Sequence, residues 1–322
     1  MARDLADKIP ALKYKTHQLK LRDIEGGGGS IAPGGNIFYV DSVSGSSVNG
    51  GDRPDKAMAT IDQAISLAAI RATRGDVIAV LPGHSEAVTS TSLNLDVAGL
   101  TIVGFGSGAA KPTLTFGVTS SRINVTAGNN TLQNLRLHAT VADVVTAALH
   151  ATAAQNTRYL DIEFFATAGS AFNFINCYTL GAANISDGCT WERNYLRTAD
   201  TGQLALAITS AAHNDLKFYD NYVVHAAAAA GLLTGAAADF LGLDVRYNFV
   251  QTGQTDGAVG VLVITTGTAS SGIVAENHMK TADAAANVAI PIASKVYAAN
   301  NYIAGADEVG TIIAVGTLFD NT

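Results

Sequence analysis

The sequence predicts an all-β parallel β-helix, a solenoid whose coils are about 27 residues long. One observation is a recurring asparagine. Asn194, Asn221, Asn248, Asn277 and Asn301 follow one another at steps of 27, 27, 29 and 24 residues. A second is the apolar pattern around it. Five residues before each Asn stand Cys189, Leu216, Leu243, Gly272 and Val296. Three before stand Trp191, Phe218, Val245, Val274 and Ala298, and two after stand Leu196, Val223, Val250, Met279 and Ile303. Mostly polar residues separate the first two columns (Thr190, Lys217, Asp244, Tyr297, with Ile273 the exception), so each copy holds a strand with one buried face. The third observation is composition. Only 15% of the 322 residues are charged and 32 are Gly, which suits a tightly wound, hydrogen-bonded β structure better than a charge-laced helical one. Units of this size bury their apolar faces only by stacking.

The Asn interrupts the alternation, so a bend is expected there. Asn tolerates the left-handed conformation of a tight bend. Equivalent amides stacked about 4.8 Å apart can also bond one another. The residue after each Asn reads Tyr195, Tyr222, Phe249, His278 and Tyr302, which predicts an aromatic ladder between coils.

Net charge is −7, and residues 1–25 hold six Lys/Arg against four Asp/Glu, leaving the remainder at −9. Nothing in this favours nucleic acid. No run reaches the roughly 18 apolar residues of a membrane span, and the charged first 25 residues do not read as a secretory signal. Of the two cysteines, Cys189 falls in an inward column as a small core residue; a bridge to Cys177 stays open.

The chain divides into an N-terminal arm and Gly-rich linker (1–34), a capping strand, helix and first coils (35–116), and the β-helix coils proper (117–322). Leu5, Ile9, Leu12, Tyr14, Leu19 and Leu21 give the arm an apolar, basic docking character, and Gly26 to Ser30 lets it leave the body at any angle. Ile37 to Val40 reads as a strand and 43–56 as a loop. Ala59 to Thr73 reads as a helix with Ile61, Ile65, Ala68 and Ala69 in one stripe, Thr60 as its cap and Gly75 as its stop. Strands follow around Asp76–Leu81, Leu93–Leu95, Leu100–Gly106 and Pro112–Phe116. A helix, then a strand ending in Pro82-Gly83, then one ending in Gly104-Phe105-Gly106 resembles the start of right-handed β-helices of the pectin-lyase-like superfamily, in which a helix caps the open end. Gly35–Phe116 also resembles the start of virion proteins of tailed bacteriophages, through Asn36-Ile37-Phe38-Tyr39-Val40-Asp41 and the run from Gly75-Asp76-Val77-Ile78 to Pro82-Gly83-His84.

In the early coils Asn134 and Asp161 occupy the bend, 27 residues apart. The 33 residues from Asp161 to Asn194 imply an insertion near Gly181 to Gly188. A further apolar run precedes later bends by 15 residues, at Leu206, Leu233 and Leu262, and a last one spans Thr311 to Val315.

β-helices of this superfamily often cut acidic polysaccharides. A hydrolase needs two carboxyls roughly 5–10 Å apart. Asp220 and Glu276 are two coils apart, about 10 Å, with Tyr247 between them, and Asp161 with Glu163 on one strand face is a second pair. Such columns are expected simply to face water. No metal site is expected: His138 and His225 stand about two coils apart, and His84 with Glu86 reads as a surface pair. The Asn-Thr-Asp and Asp-Asp motifs of polygalacturonase-like hydrolases are absent. The expectation is therefore no catalytic residue, no cofactor and no enzymatic activity. The phage resemblance implies a structural virion protein, foremost a capsid decoration (cement) protein assembled in the host cytoplasm onto the capsid surface. Its partner would be the major capsid protein, and its Ala/Gly/Val-rich surface suggests a homotrimer. The alternative is a tailspike- or tail-fibre-type polysaccharide-binding or -degrading protein.

Overall fold

In each copy the alternating side chains force a short strand, and short strands that each bury one face must stack. The computed structural model shows them stacked. It describes residues 35–69, 75–89, 93–141, 143–166, 172–197, 205–209, 211–225, 232–235, 239–252, 262–264, 270–280, 288–289 and 295–304. The arm residues Leu5, Ile9, Leu12, Tyr14, Leu19 and Leu21, the linker, and the run at Thr311 to Val315 lie outside them.

Among the described residues three long sheets run along one axis, with ten, nine and eight strands, and a two-stranded sheet joins His213–Asn214 to Phe240–Leu241. The first sheet runs from Ile37–Val40 to Lys295–Ala299, the second from Ser85–Val88 to Tyr302–Ala304, and the third from Asn94–Leu95 to Val288–Ala289. Successive strands in each pair in parallel, so one coil contributes one strand to each sheet. The chain is a parallel β-solenoid with coils of about 27 residues.

The expected columns hold. Ile78, Ile102, Leu132, Tyr159, Trp191, Phe218, Val245 and Val274 are paired in register down the first sheet, and all point into a single continuous core. Trp191 stacks on Phe218 at 4.6 Å with an interplanar angle of 6°. Each fully buried side chain of this kind contributes about 1.5–3 kcal/mol. In the third sheet Leu233 and Leu262 pair as expected, but the residue beside Leu233 in the preceding coil is Ala207, not Leu206. A one-residue shift in a strand changes which face a side chain occupies.

Helix α1 (Ile61–Ala69) closes the N-terminal end. Thr60 Oγ1 accepts from the Gln63 N–H (3.3 Å) while Gln63 Oε1 accepts from the Thr60 N–H (3.2 Å), a reciprocal cap. Its buried stripe is Ile61, Ala64, Ile65 and Ala68; Ala69, expected in the stripe, is exposed. The described helix ends at Ala69; Gly75, expected as its stop, has a φ of +71°, and residues 70–74 between them lie outside the described residues.

The inserted coil is real. The step from Ile162 to Asn194 is 32 residues, against 27 from Asn194 to Asn221. Part of the excess lies in the turn from Gly181 to Gly188, where Ala154 and Gly181 bond across coils to Ile185 and Ala151. Cys177 and Cys189 are both buried and free, so the bridge left open by the sequence is not formed.

Candidate functional site

The corner between the first and second sheets gathers every candidate of the sequence reading that falls on described residues. Its backbone is the same in each coil. Asn134, Asp161, Arg193, Asp220, Tyr247, Glu276 and Asn300 all have φ between 52° and 59°. The left-handed residue is therefore the one before the recurring Asn. This corrects the expectation that the Asn itself bends the chain, and it explains why Asn134 and Asp161 seemed to mark the early bends.

The recurring Asn instead points inward. Asn194, Asn221, Asn248 and Asn277 are at most 1% exposed. Asn221 Nδ2 donates to Asn248 Oδ1 (2.9 Å) and to the Trp191 carbonyl (3.0 Å), while the Asn221 N–H also donates to Asn248 Oδ1 (3.0 Å). The same set repeats from Asn194 to Asn301 at 2.9–3.1 Å. The amide ladder expected between coils is present.

The expected Asp161–Glu163 pair does not sit on one strand face: Asp161 is at the corner and Glu163 begins the next strand. Each is held by cations. Arg193 donates from Nε to Asp161 Oδ1 (2.8 Å) and from Nη2 to Oδ2 (3.1 Å), and Gln133 Nε2 adds a bond at 3.2 Å. Arg136 donates to both oxygens of Glu163, at 3.1 and 3.3 Å. Lys111 Nζ bonds the Asp161 carbonyl (2.9 Å) and lies 3.9 Å from Glu163. Burial lowers the Lys111 ammonium, and the two carboxylates oppose that shift; the bond to Asp161 raises Arg193. The sequence reading missed Lys111 and Arg136. Arg136 was legible, because it stands one coil, 27 residues, before Glu163; Lys111, 50 residues from its partner Asp161, follows no period.

Asp220, Tyr247 and Glu276 form the exposed row that coil spacing predicted. A hydrogen bond to Glu276 raises the Tyr247 phenol. On the neighbouring face of the first sheet, burial and a bond to Asp244 (2.8 Å) push Tyr219 up to about 12. On the second sheet Tyr195, Tyr222 and Phe249 stack at 5.1 and 5.0 Å, within 8° of parallel. The stacking ties successive coils together, while all three rings remain partly exposed.

The histidines differ from expectation at one place. His84 and Glu86 are no surface pair: their side chains are 0% and 8% exposed, with His84 Nε2 3.1 Å from Glu86 Oε2. The cause is α1, whose Ile61 N–H donates to Glu86 Oε2 at 2.9 Å, a favourable place for a carboxylate. His138 packs against Phe165. Among the described residues no group of three or more His, Cys, Asp or Glu is placed to hold a metal, and no described helix is long and apolar enough to cross a membrane.

No protein-family model matches the chain, and no curated protein matches it. Solved structures do. Two structures of the pectin methylesterase from Aspergillus niger are similar at 14% and 12% identity, each covering 90% of this chain and 91% of theirs, with TM-scores of 0.48 and 0.47. A lacto-N-biosidase from Eubacterium ramulus is similar at 12% identity over 93% of this chain and 72% of its own, with a TM-score of 0.26. The class, shown by the chain's own three stacked parallel sheets, is an all-β parallel β-helix. The expectation of no enzymatic activity is corrected by this finding, since the chains found similar are enzymes. The likeness shows the fold alone, and no catalytic residue passes from them to this chain.

Proposed function

We propose that this chain is a structural virion protein of a tailed bacteriophage, a capsid decoration protein that attaches to the head and stabilises it. The observation that carries the reading is the N-terminal unit. The two segments that resemble phage virion proteins are partners in it: Ile37–Val40 pairs residue for residue with Val77–Val80, and Asn36 bonds Asp76 through both its backbone N–H (2.6 Å) and its Nδ2 (3.2 Å). The resemblance therefore covers one folded unit and not two scattered strings. In this reading the β-helix supplies rigid bulk. Residues 1–25 dock on the major capsid protein, and a trimer multiplies the weak grip of each arm. The test is immunogold labelling of the particles whose genome encodes the chain, with heads labelled at regular positions. Label confined to tails, or unlabelled particles, overturns it.

A second reading rests on the Asp220–Tyr247–Glu276 row: a polysaccharide-binding or -degrading β-helix protein of the tailspike type. Depolymerisation of a host polysaccharide that is lost in Asp220→Asn with Glu276→Gln would establish it.

A further inference from the structure

Most buried polar side chains of the interior are bonded, as the ladder Asn residues are, but four in one stretch are not. Thr157 Oγ1, Tyr178 Oη, Ser186 Oγ and Trp191 Nε1 are buried and have no hydrogen-bond partner in the protein. All four lie in two neighbouring coils. The Thr190 N–H donates to the Thr157 carbonyl (3.0 Å) and the Cys189 N–H to the Ser186 carbonyl (3.2 Å), which sets Thr157, Ser186 and Cys189 side by side at the corner between the third and first sheets. Tyr178 and Trp191 meet edge to face inside the same coil, their ring centroids 5.6 Å apart.

This is also the long coil, in which Ile162 to Asn194 takes 32 residues where its neighbour takes 27. The side chains gathered there are the bulkiest of the interior, with Tyr159, Tyr178 and Trp191 in mutual contact. Rigid rings do not fill an irregular space as aliphatic chains do. An indole N–H can only donate, and it needs an acceptor when buried. Leaving a buried polar group unsatisfied is costly, and a polar site offering two to four partners is where proteins hold internal water.

We propose that the long coil encloses a site for ordered internal water, shared by Trp191 Nε1, Tyr178 Oη, Thr157 Oγ1 and Ser186 Oγ. The water accepts from the indole and bridges the three hydroxyls.

Trp191 is the chain's single tryptophan, so it reports on the site without labelling. The full chain should show the emission of a buried but hydrogen-bonded indole, together with an ultraviolet resonance Raman marker for a bonded N–H. Tyr178→Phe removes one partner of the water and should shift the emission to the blue. A high-resolution crystal structure should show density within hydrogen-bonding distance of Trp191 Nε1 and one of the hydroxyls. A structured, far-blue emission and a free N–H marker in the unsubstituted protein overturn the proposal, as does a dry core in the crystal. The unsubstituted chain decides the matter even if Tyr178→Phe fails to fold.

Discussion

The coils before the insertion and those after it share one backbone and differ in what they hang on it. At the corner, the Asn134 N–H bonds Leu160, Asp161 bonds Glu192, Arg193 bonds Tyr219 and Asp220 bonds Arg246, each to the carbonyl one coil on. The next residue points inward in every case. In the early coils it is Leu135 or Ile162, each 1% exposed; in the later ones it is the ladder Asn. Outside, the early coils are joined by Arg136–Glu163 and Arg193–Asp161 ion pairs, the later ones by stacked Tyr195, Tyr222 and Phe249. The corner is therefore a backbone solution that accepts either an apolar or an amide filling. What changes is how strongly neighbouring coils depend on one another: Leu135 can be satisfied alone, whereas Asn221 needs Asn194 and Asn248.

Exchanging the two fillings gives the largest expected effect. Asn221→Leu imports the early solution into the later coils and strips partners from Asn194 Nδ2, the Asn194 N–H and the Trp191 carbonyl. At about 1–3 kcal/mol per orphaned buried group, a loss of about 3–9 kcal/mol is expected in urea unfolding. A loss under about 1 kcal/mol would show that the two corners are interchangeable. Tyr222→Ala removes two stacked contacts and should cost about 1–3 kcal/mol, at about 0.5–1.5 kcal/mol per pair. The reverse exchange, Ile162→Asn, lengthens the ladder by one rung, since Asn194 Oδ1 already faces the Ile162 N–H at 3.0 Å. Lost apolar burial offsets the new bonds, so the expected cost is only about 1 kcal/mol. A cost as large as that of Asn221→Leu would mean that local packing, not the ladder, selects the residue. Smallest is Arg193→Ala: its side chain is 45% exposed. The cost should stay below about 1 kcal/mol and fade as salt approaches about 1 M.

The same contrast explains what the sequence disclosed. The later coils were legible because the ladder demands one residue type, so Asn194 to Asn301 repeat visibly. The early coils permit any apolar residue inward, so Leu135 and Ile162 carry no signature, and the polar residue that repeats there is the left-handed one, Asn134 or Asp161, one position earlier. Glu86 was misplaced because its burial depends on α1, 25 residues away in sequence from the carboxylate that Ile61 meets. The exposed row Asp220, Tyr247 and Glu276 followed directly from the period. The grip of Lys111 on Asp161 and Glu163 did not, because a turn residue obeys no strand alternation.

The amide ladder also has a sense. From Asn194 to Asn277 every Nδ2 donates towards the next Oδ1 in the C-terminal direction, and every Oδ1 from Asn221 to Asn301 faces back. Turning one carboxamide over would set nitrogen against nitrogen on one side and oxygen against oxygen on the other. No rung can reverse alone. The orientation chosen by one amide is passed to its neighbours, and the aligned dipoles add along the axis. The later half of the solenoid thus behaves as a one-way row whose rungs must all agree, which gives two otherwise similar ends of a stack opposite polarity.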